Sequence, residues 1–283
     1  MRFGMNIFLW ADSLSDEVMP ALEQLKQIGF DAVEIPMFEP DPEKYAAWGK
    51  RFDDLGLDRT GCVVRTEEDD PMSPDPVVRR KGVEANKMAL TCCQAAGVEN
   101  LVGPYHSALG HFSGAGPTRD EWHRAVESMQ EVAEHAETCG VNLGLEVVNR
   151  FECYLMNTMA DLARFCDDVN HPRCRAMYDT FHTHIEEKSI PEAVRAGGDR
   201  IVHVHISEND RSTPGQGNVR WEQNFDTLHE IGYDNIMVIE AFGLALPNLV
   251  AATKIWRRMY EDEFQLAREG LAFMKDQVAQ RWG

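Results

Sequence analysis

The chain has 283 residues, of which 43% are hydrophobic and 27% charged, and its formal net charge is −19. That length accommodates one large α/β barrel or two modest domains, and the composition is ordinary for a globular protein. The strongly acidic surface repels phosphate groups, which excludes nucleic acid and argues against an acidic membrane surface as a partner.

Other features predict a cytoplasmic protein in a reducing environment. The stretch from Met1 to Asp12 lacks the apolar core and the small-residue cleavage site of a signal peptide. No stretch approaches the roughly 18 uncharged apolar residues of a membrane span. The seven cysteines are odd in number and include no C-x-x-C pair. We therefore expect free thiols rather than disulfides or a structural zinc site.

Strand-like and helix-like segments alternate from one end of the chain to the other. Several predicted helices are followed by a glycine, the residue that most often ends helices. The segments predicted as strands are residues 1–9, 32–35, 58–64, 100–103, 141–146, 174–179, 201–206 and 235–239. The predicted helices are residues 16–28, 42–55, 77–96, 119–139, 158–169, 189–196 and 221–231, with a long or broken helical segment from Leu246.

This alternation predicts the fold class. Short connections between strands and helices favour parallel strands, and eight such units favour a (β/α)8 TIM barrel that spans residues 1–283 as a single domain. A doubly wound open sheet is the alternative. The first strand-to-helix turn lacks a G-x-G-x-x-G fingerprint, so the sequence gives no support for a dinucleotide site.

One titratable residue stands at or just past the end of each of the last four predicted strands: Glu146, Asp179, His205 and Glu240. Any one of them alone would be interpreted as a helix cap or a core residue. Their recurrence at four successive strand ends is what indicates a functional site. In a barrel these strand ends converge on one mouth. Three acids in a dry pocket need a compensating charge, and oxygen ligands with one imidazole suit Mn²⁺, Mg²⁺ or Co²⁺. We expect His203, one layer deeper, to be a core histidine.

Three more polar residues follow these strand ends closely. Glu152, His182 and Arg211 are predicted to lie on strand-to-helix loops above the cation, although Glu152 and Arg211 are equally compatible with solvated loops. Other charged residues nearby are predicted to be solvated, namely His184, Glu186, Glu187 and residues 67–70.

Five motifs together resemble one known family. They are L-E-V-V-N-R-F-E, D-T-F-H-x-x-I-E-E, H-x-H-x-x-E-x-x-R, P-G-x-G and V-I-E-A-F, and they are densest from Leu143 to Phe242. The chain resembles the ketose 3-epimerases that act on D-tagatose, D-allulose or L-ribulose, within the xylose-isomerase-like barrel superfamily. The resemblance implies a ketose substrate, one divalent cation per subunit (Mn²⁺, with Co²⁺ or Mg²⁺ as alternatives), and a homodimer or homotetramer.

The resemblance also implies residue roles by matching position. Glu146, Asp179, His205 and Glu240 would be the metal ligands, and Glu146 and Glu240 would also be the acid/base pair. The C1 to C3 end of the open-chain ketose would be held by Glu152, His182 and Arg211. The remaining pocket-lining residues implied by the resemblance are Trp10, Cys62 and Phe242.

Elementary chemistry agrees with these roles. The C3 hydrogen of a ketose is α to the C2 carbonyl, so a cation at O2 and O3 stabilises the enediolate that forms when the proton leaves. Inversion needs one carboxylate on each face of that planar intermediate. Two regions depart from the family, Asn6 in place of a frequent aromatic residue and residues 104–110 without the common tryptophan. Both are expected to contact the O4 to O6 end of the sugar.

The sequence leaves three alternative classes open. Hydroxypyruvate isomerases, inosose isomerases or dehydratases, and 3-dehydroshikimate dehydratases share the acid/acid/His/acid core, and only Glu152, His182 and Arg211 favour the epimerase over them. An enzyme of the endonuclease IV type would need more histidine ligands and a basic surface, against the net charge of −19. A non-catalytic sugar-binding barrel would have no reason to keep two acids on opposite sides of a cation.

Overall fold

The computed structural model describes residues 1–283 as a closed barrel of eight parallel strands in sequential order, in which β1 also pairs with β8. The (β/α)8 prediction is confirmed, and the open sheet is excluded because the barrel has no edge strand. The strands are β1 (Arg2–Asn6), β2 (Ala32–Pro36), β3 (Asp58–Cys62), β4 (Asn100–Gly103), β5 (Asn142–Leu145), β6 (Cys174–Asp179), β7 (Ile201–Ile206) and β8 (Ile236–Ile239).

Ten α-helices surround the barrel. They are α1 (Met19–Ile28), α2 (Pro42–Leu55), α3 (Pro76–Ala96), α4 (Arg119–Cys139), α5 (Met159–Val169), α6 (Thr180–Glu186), α7 (Ile190–Gly197), α8 (Trp221–Glu230), α9 (Pro247–Thr253) and α10 (Glu263–Trp282). No helix is both long enough and apolar enough to cross a membrane.

The helix ends follow from local chemistry. At the start of α2, Asp41 accepts a hydrogen bond from the backbone N–H of Lys44, and Pro42 occupies the first turn, where it needs no N–H partner. Thr118 and Glu121 form a reciprocal capping box at the start of α4. At the other end of α4, Gly140 takes a left-handed φ of 71°, which only glycine adopts without strain.

The alternation of side chains along each strand brings the functional residues into the barrel. On β7, His203 and His205 are two residues apart and both are fully buried inside the barrel. On β6, Asp179 lies in register with His205, so these two side chains are neighbours across the strands. The top layer of the barrel interior is therefore polar, which is expected at the catalytic mouth of this fold.

Two predicted boundaries were wrong by three residues, and one short helix was missed. The first strand ends at Asn6 rather than at residue 9, because the Asn6 side chain accepts a hydrogen bond from the Phe8 backbone N–H and starts a 3₁₀ turn. The helix predicted from residue 16 begins at Met19, after a separate 3₁₀ turn. The short helix α6 was not predicted; Asp179 caps it by accepting from the backbone N–H groups of Phe181 and His182.

Gly103, at the end of β4, provides a test of the packing. Its φ is 121°, and an added Cβ would lie 2.3 Å from the carbonyl oxygen of Val63. Gly103→Ala is expected to lower the free energy of unfolding by about 2–3 kcal/mol, because a backbone clash adds to left-handed strain. Urea denaturation followed by circular dichroism measures this loss.

Gly110→Ala is the matched control for that substitution. Gly110 also has a positive φ, of 75°, but nothing lies within 4 Å of its added Cβ. We expect it to lose only about 1 kcal/mol from backbone strain alone. Equal losses in the two variants would contradict the steric explanation for Gly103.

Candidate active site

A cavity opens at the C-terminal mouth of the barrel, with a polar wall and an apolar wall. The polar wall is formed by Glu146, Glu152, His182, Arg211 and Glu240. The apolar wall includes Phe8, Phe38, Cys62, Val64, Pro104, Leu109, Val148, Phe181, Phe242, Leu249 and Ala252. A small polar ligand would therefore bind its reactive end to charged groups and its other end to apolar surface.

The structure brings the four strand-end residues together in two overlapping groups. Nδ1 of His205 lies 3.4 Å from Oδ2 of Asp179 and 3.6 Å from Oε1 of Glu240. Glu146 and Asp179 form the second group, together with His182, whose Nε2 lies 3.6 Å from Oε1 of Glu146. Asp179 belongs to both groups, so the four strand-end residues and His182 form one connected cluster of oxygen and nitrogen donors.

These donors fit a hard divalent cation. All four strand-end side chains are buried, and Nδ1 of His205 has no hydrogen-bond partner. A buried ring nitrogen beside three carboxylates is unfavourable unless something shares its lone pair or its proton. Carboxylate oxygens with one imidazole are ligands that Mn²⁺ and Mg²⁺ accept, and no cysteine belongs to the set.

The two glutamates of the mouth are in opposite electrostatic environments. Burial, and then the negative charges of Glu240 and Asp179, raise the pKa of Glu146 well above its ordinary value. Burial alone would also raise the pKa of Glu240, but the positive charges of Arg211 and His205 hold it below its ordinary value. Two carboxyl groups whose pKa values are pushed apart can act as an acid and a base at the same pH.

Arg211 supplies the main fixed positive charge of the mouth. Its guanidinium pairs with Glu240 and with Asp179, and it stacks over the Phe181 ring at 3.9 Å. Its backbone has a left-handed φ of 62°, an uncommon conformation for a residue with a side chain. Arg211 lies in the loop between β7 and α8, and the structure of this loop holds its backbone in the strained conformation.

Glu208 organises that loop, and sequence analysis did not identify it. Its buried carboxylate accepts hydrogen bonds from the backbone N–H groups of Asn209, Gly215 and Val219, and from Nε1 of Trp221. These four bonds join the two ends of the loop that carries Arg211. Its place in the motif H-x-H-x-x-E-x-x-R was the available signal.

His182 and Glu152 are fixed by a shared neighbour, Asn149. The Asn149 backbone N–H donates to Nδ1 of His182 at 3.0 Å, and the Asn149 side-chain amide donates to Glu152 Oε1 at 2.7 Å. Because Nδ1 of His182 accepts a hydrogen bond, its Nε2 faces the cavity beside Arg211. His182 lies on α6, not on a loop as predicted.

Some residues expected at the pocket lie elsewhere. Cys62 and Phe242 line the cavity, but Trp10 is not among the lining residues and packs against Phe264 at 5.3 Å between ring centroids. Asn6 does not line the cavity either; it is fully buried beneath it. The expectation that Asn6 contacts the far end of a sugar was therefore wrong, because its strand position points it into the barrel.

Several acids predicted to be solvated are structural. Asp70 is buried and accepts from the backbone N–H groups of Met72 and Ala108. Glu186 forms a bidentate pair with Arg150. Glu187 is half-buried and accepts from the first backbone N–H of α5. Composition alone could not distinguish these acids from solvated ones, since Ala108, Arg150 and Met159 are distant from them in sequence.

Glu34 is a fully buried carboxylate of β2 that sequence analysis missed. It lies in the barrel beneath the mouth, 2.8 Å from Nε2 of His205 and 3.0 Å from Nε2 of His203. His203 lies one layer below His205, as expected. The signal for Glu34 was present in the sequence A-V-E-I-P, where a single acid interrupts an otherwise apolar strand.

Comparison with known proteins identifies the family. The Xylose isomerase-like TIM barrel family matches residues 22–277. L-ribulose 3-epimerase of Mesorhizobium japonicum is 33% identical, over 96% of this chain and 93% of that enzyme. D-psicose 3-epimerase of Ruminiclostridium cellulolyticum is 32% identical, over 96% of this chain and 95% of that enzyme.

A solved structure agrees closely in three dimensions. D-allulose 3-epimerase from Methylomonas sp. in complex with D-allulose superimposes with a TM-score of 0.93 at 31% identity, over 98% of this chain and 97% of that one. Fold and sequence thus agree. The chain belongs to the ketose 3-epimerases, a group of carbohydrate isomerases within the xylose isomerase-like TIM barrel family.

Proposed function

We propose that the protein epimerises free ketoses at C3 with the help of one divalent cation. The observation that carries the proposal is the pair Glu146 and Glu240, which line one cavity from β5 and β8 and have pKa values shifted in opposite directions. Relatives named for L-ribulose, D-psicose and D-allulose support a ketose as the substrate class.

The two glutamates would divide the proton transfers between them. Strands β5 and β8 are not neighbours in the barrel, so their end residues approach a bound ligand from different directions. One of the two glutamates can remove the C3 proton from one face, and the other can return a proton to the opposite face. In the reverse reaction the two roles exchange.

The remaining polar residues would bind the reactive end of the sugar. Glu152, His182 and Arg211 surround the space above Asp179, and their hydrogen-bond partners fix their orientations before a ligand arrives. Such fixed groups hold C1 to C3 in one pose between the two glutamates. Cys62 and Phe242 would contact the sugar from the apolar side.

The proposed cation is Mn²⁺, with Co²⁺ or Mg²⁺ as alternatives, held by Glu146, Asp179, His205 and Glu240. When bound, it would stabilise negative charge on O2 and O3 of the substrate as a Lewis acid. We also propose that the enzyme is a cytoplasmic homodimer or homotetramer. All seven cysteines are unpaired, which supports a reducing compartment.

The direct test is a nuclear magnetic resonance screen of the Mn²⁺-loaded enzyme, freed of excess metal, against fructose, allulose, tagatose, sorbose, ribulose and xylulose. At least one ketose is expected to convert to its C3 epimer, and in D₂O the product should carry deuterium at C3. Deuterium at C1 would instead indicate an aldose–ketose isomerase, and dehydration products would indicate a lyase of the same superfamily.

Replacement of either glutamate tests the two-base mechanism. Glu146→Gln and Glu240→Gln are each expected to lower kcat by at least about 10²- to 10⁴-fold, because one proton transfer loses its acid or base. Glu230→Gln is the control, since Glu230 is an exposed acid paired with Arg195 on the outside of the barrel. Near-normal turnover in both mouth variants, with the fold checked by circular dichroism, would refute the mechanism.

Chelation tests the cation separately. Dialysis against EDTA is expected to abolish epimerisation and to lower the melting temperature, because the buried carboxylates then repel one another. Addition of Mn²⁺ or Co²⁺ should restore both. An enzyme whose activity and melting temperature are indifferent to EDTA, with metal removal verified by elemental analysis, would exclude the cation.

A further inference from the structure

Beneath the mouth, the carboxylate of Glu34 has four polar side chains as neighbours. Oε1 of Glu34 accepts a hydrogen bond from Nδ2 of Asn6 at 2.8 Å, and Nε2 of His205 lies 2.8 Å from the same oxygen. Oε2 accepts from the hydroxyl of Thr60 at 2.9 Å and lies 3.0 Å from Nε2 of His203. All five side chains are buried, so the carboxylate is shielded from water and both its oxygens are occupied.

The barrel register builds this arrangement. Asn6 of β1 and Thr60 of β3 are the register partners of Glu34 on β2, so the three side chains form a row at one height. The side-chain oxygen Oδ1 of Asn6 in turn accepts a hydrogen bond from the Phe8 backbone N–H. The position of Glu34 is therefore set by the register of β1, β2 and β3.

The row of Asn6, Glu34 and Thr60 determines which ring nitrogen of His205 carries a proton. Phe8 fixes the orientation of the Asn6 amide, so Oε1 of Glu34 accepts from Asn6 Nδ2 and carries no proton itself. The ring nitrogen that faces the same oxygen must therefore carry the proton. Nε2 of His205 faces Glu34, and Nδ1 of the same ring faces Asp179 and Glu240. A neutral imidazole with a proton on Nε2 has its lone pair on Nδ1, directed into the mouth. The opposite tautomer would set a lone pair against a carboxylate oxygen.

We infer that Glu34 is a positioning residue, which accepts a hydrogen bond from the Nε2–H of His205 and thereby orients Nδ1 as a ligand for the divalent cation. The inference rests on the proposed metal-dependent function. A carboxylate that hydrogen-bonds the far nitrogen of a metal-binding histidine fixes both the tautomer and the ring orientation. Glu34 itself does not line the cavity, so it would act through His205 rather than on a bound sugar.

The test measures metal binding rather than turnover alone. Isothermal titration of Mn²⁺ into metal-free enzyme is expected to give one site in the wild type and an affinity about 10- to 100-fold weaker in Glu34→Gln. Thr60→Val is the matched control, because it removes one hydrogen bond from Oε2 and leaves the bond between Glu34 and His205 in place. The Mn²⁺ affinity of Thr60→Val should change by less than about threefold, well below the effect of replacing the Glu34 carboxylate.

A measurement on the wild type keeps the inference testable even if Glu34→Gln does not fold. Nitrogen-15 spectra of histidine-labelled enzyme with diamagnetic Mg²⁺ report the tautomer of each ring, and the His205 signals are assigned by their loss in His205→Asn. We expect a proton on Nε2 and none on Nδ1. A proton on Nδ1 would overturn the inference.

The outcomes separate this inference from the proposed function. If the wild type binds Mn²⁺ and epimerises ketoses but Glu34→Gln binds Mn²⁺ equally well, the inference fails and the proposed function stands. Two Mn²⁺ sites in the wild type and one in Glu34→Gln would also overturn it, because Glu34, His203 and His205 would then be ligands of a second cation. A wild type that binds no divalent cation would refute the metal-dependent function itself.

Discussion

Three buried carboxylates share the mouth of the barrel, and the surrounding structure is arranged around their mutual repulsion. Glu146, Asp179 and Glu240 are all buried at the ends of strands, where water cannot screen them. Removing charges from water costs several kcal/mol per ion unless opposite charges or hydrogen bonds compensate. Arg211 and His205 supply part of that compensation, and a divalent cation would supply the rest.

The negative charges of the three carboxylates are compensated unequally, and the proposed mechanism depends on this difference. Arg211 lies against Glu240 and Asp179, so these two stay ionised more readily than Glu146. The position of a single guanidinium thus gives the two glutamates different electrostatic environments, which the proposed two-base mechanism would use. That position depends on Glu208, which joins the ends of the loop that carries Arg211.

Much of this could be predicted from local patterns. Three strands and two helices begin and end at the predicted residues, namely β4, β6, β7, α2 and α4. Apolar runs, helix-ending glycines and N-terminal caps are local signals, and they suffice for elements whose neighbours do not interfere. The four strand-end residues could be grouped because a closed parallel barrel brings strand ends to one mouth.

The remaining features depended on which residues meet across the barrel. The sequence by itself determined the alternation of elements, the barrel, and the set Glu146, Asp179, His205 and Glu240, because periodicity and residue type are local properties. Only the tertiary structure decided that Glu34 lies under His205, since 171 positions separate them along the chain. Contacts of that range are fixed by strand order and register, which no local pattern encodes.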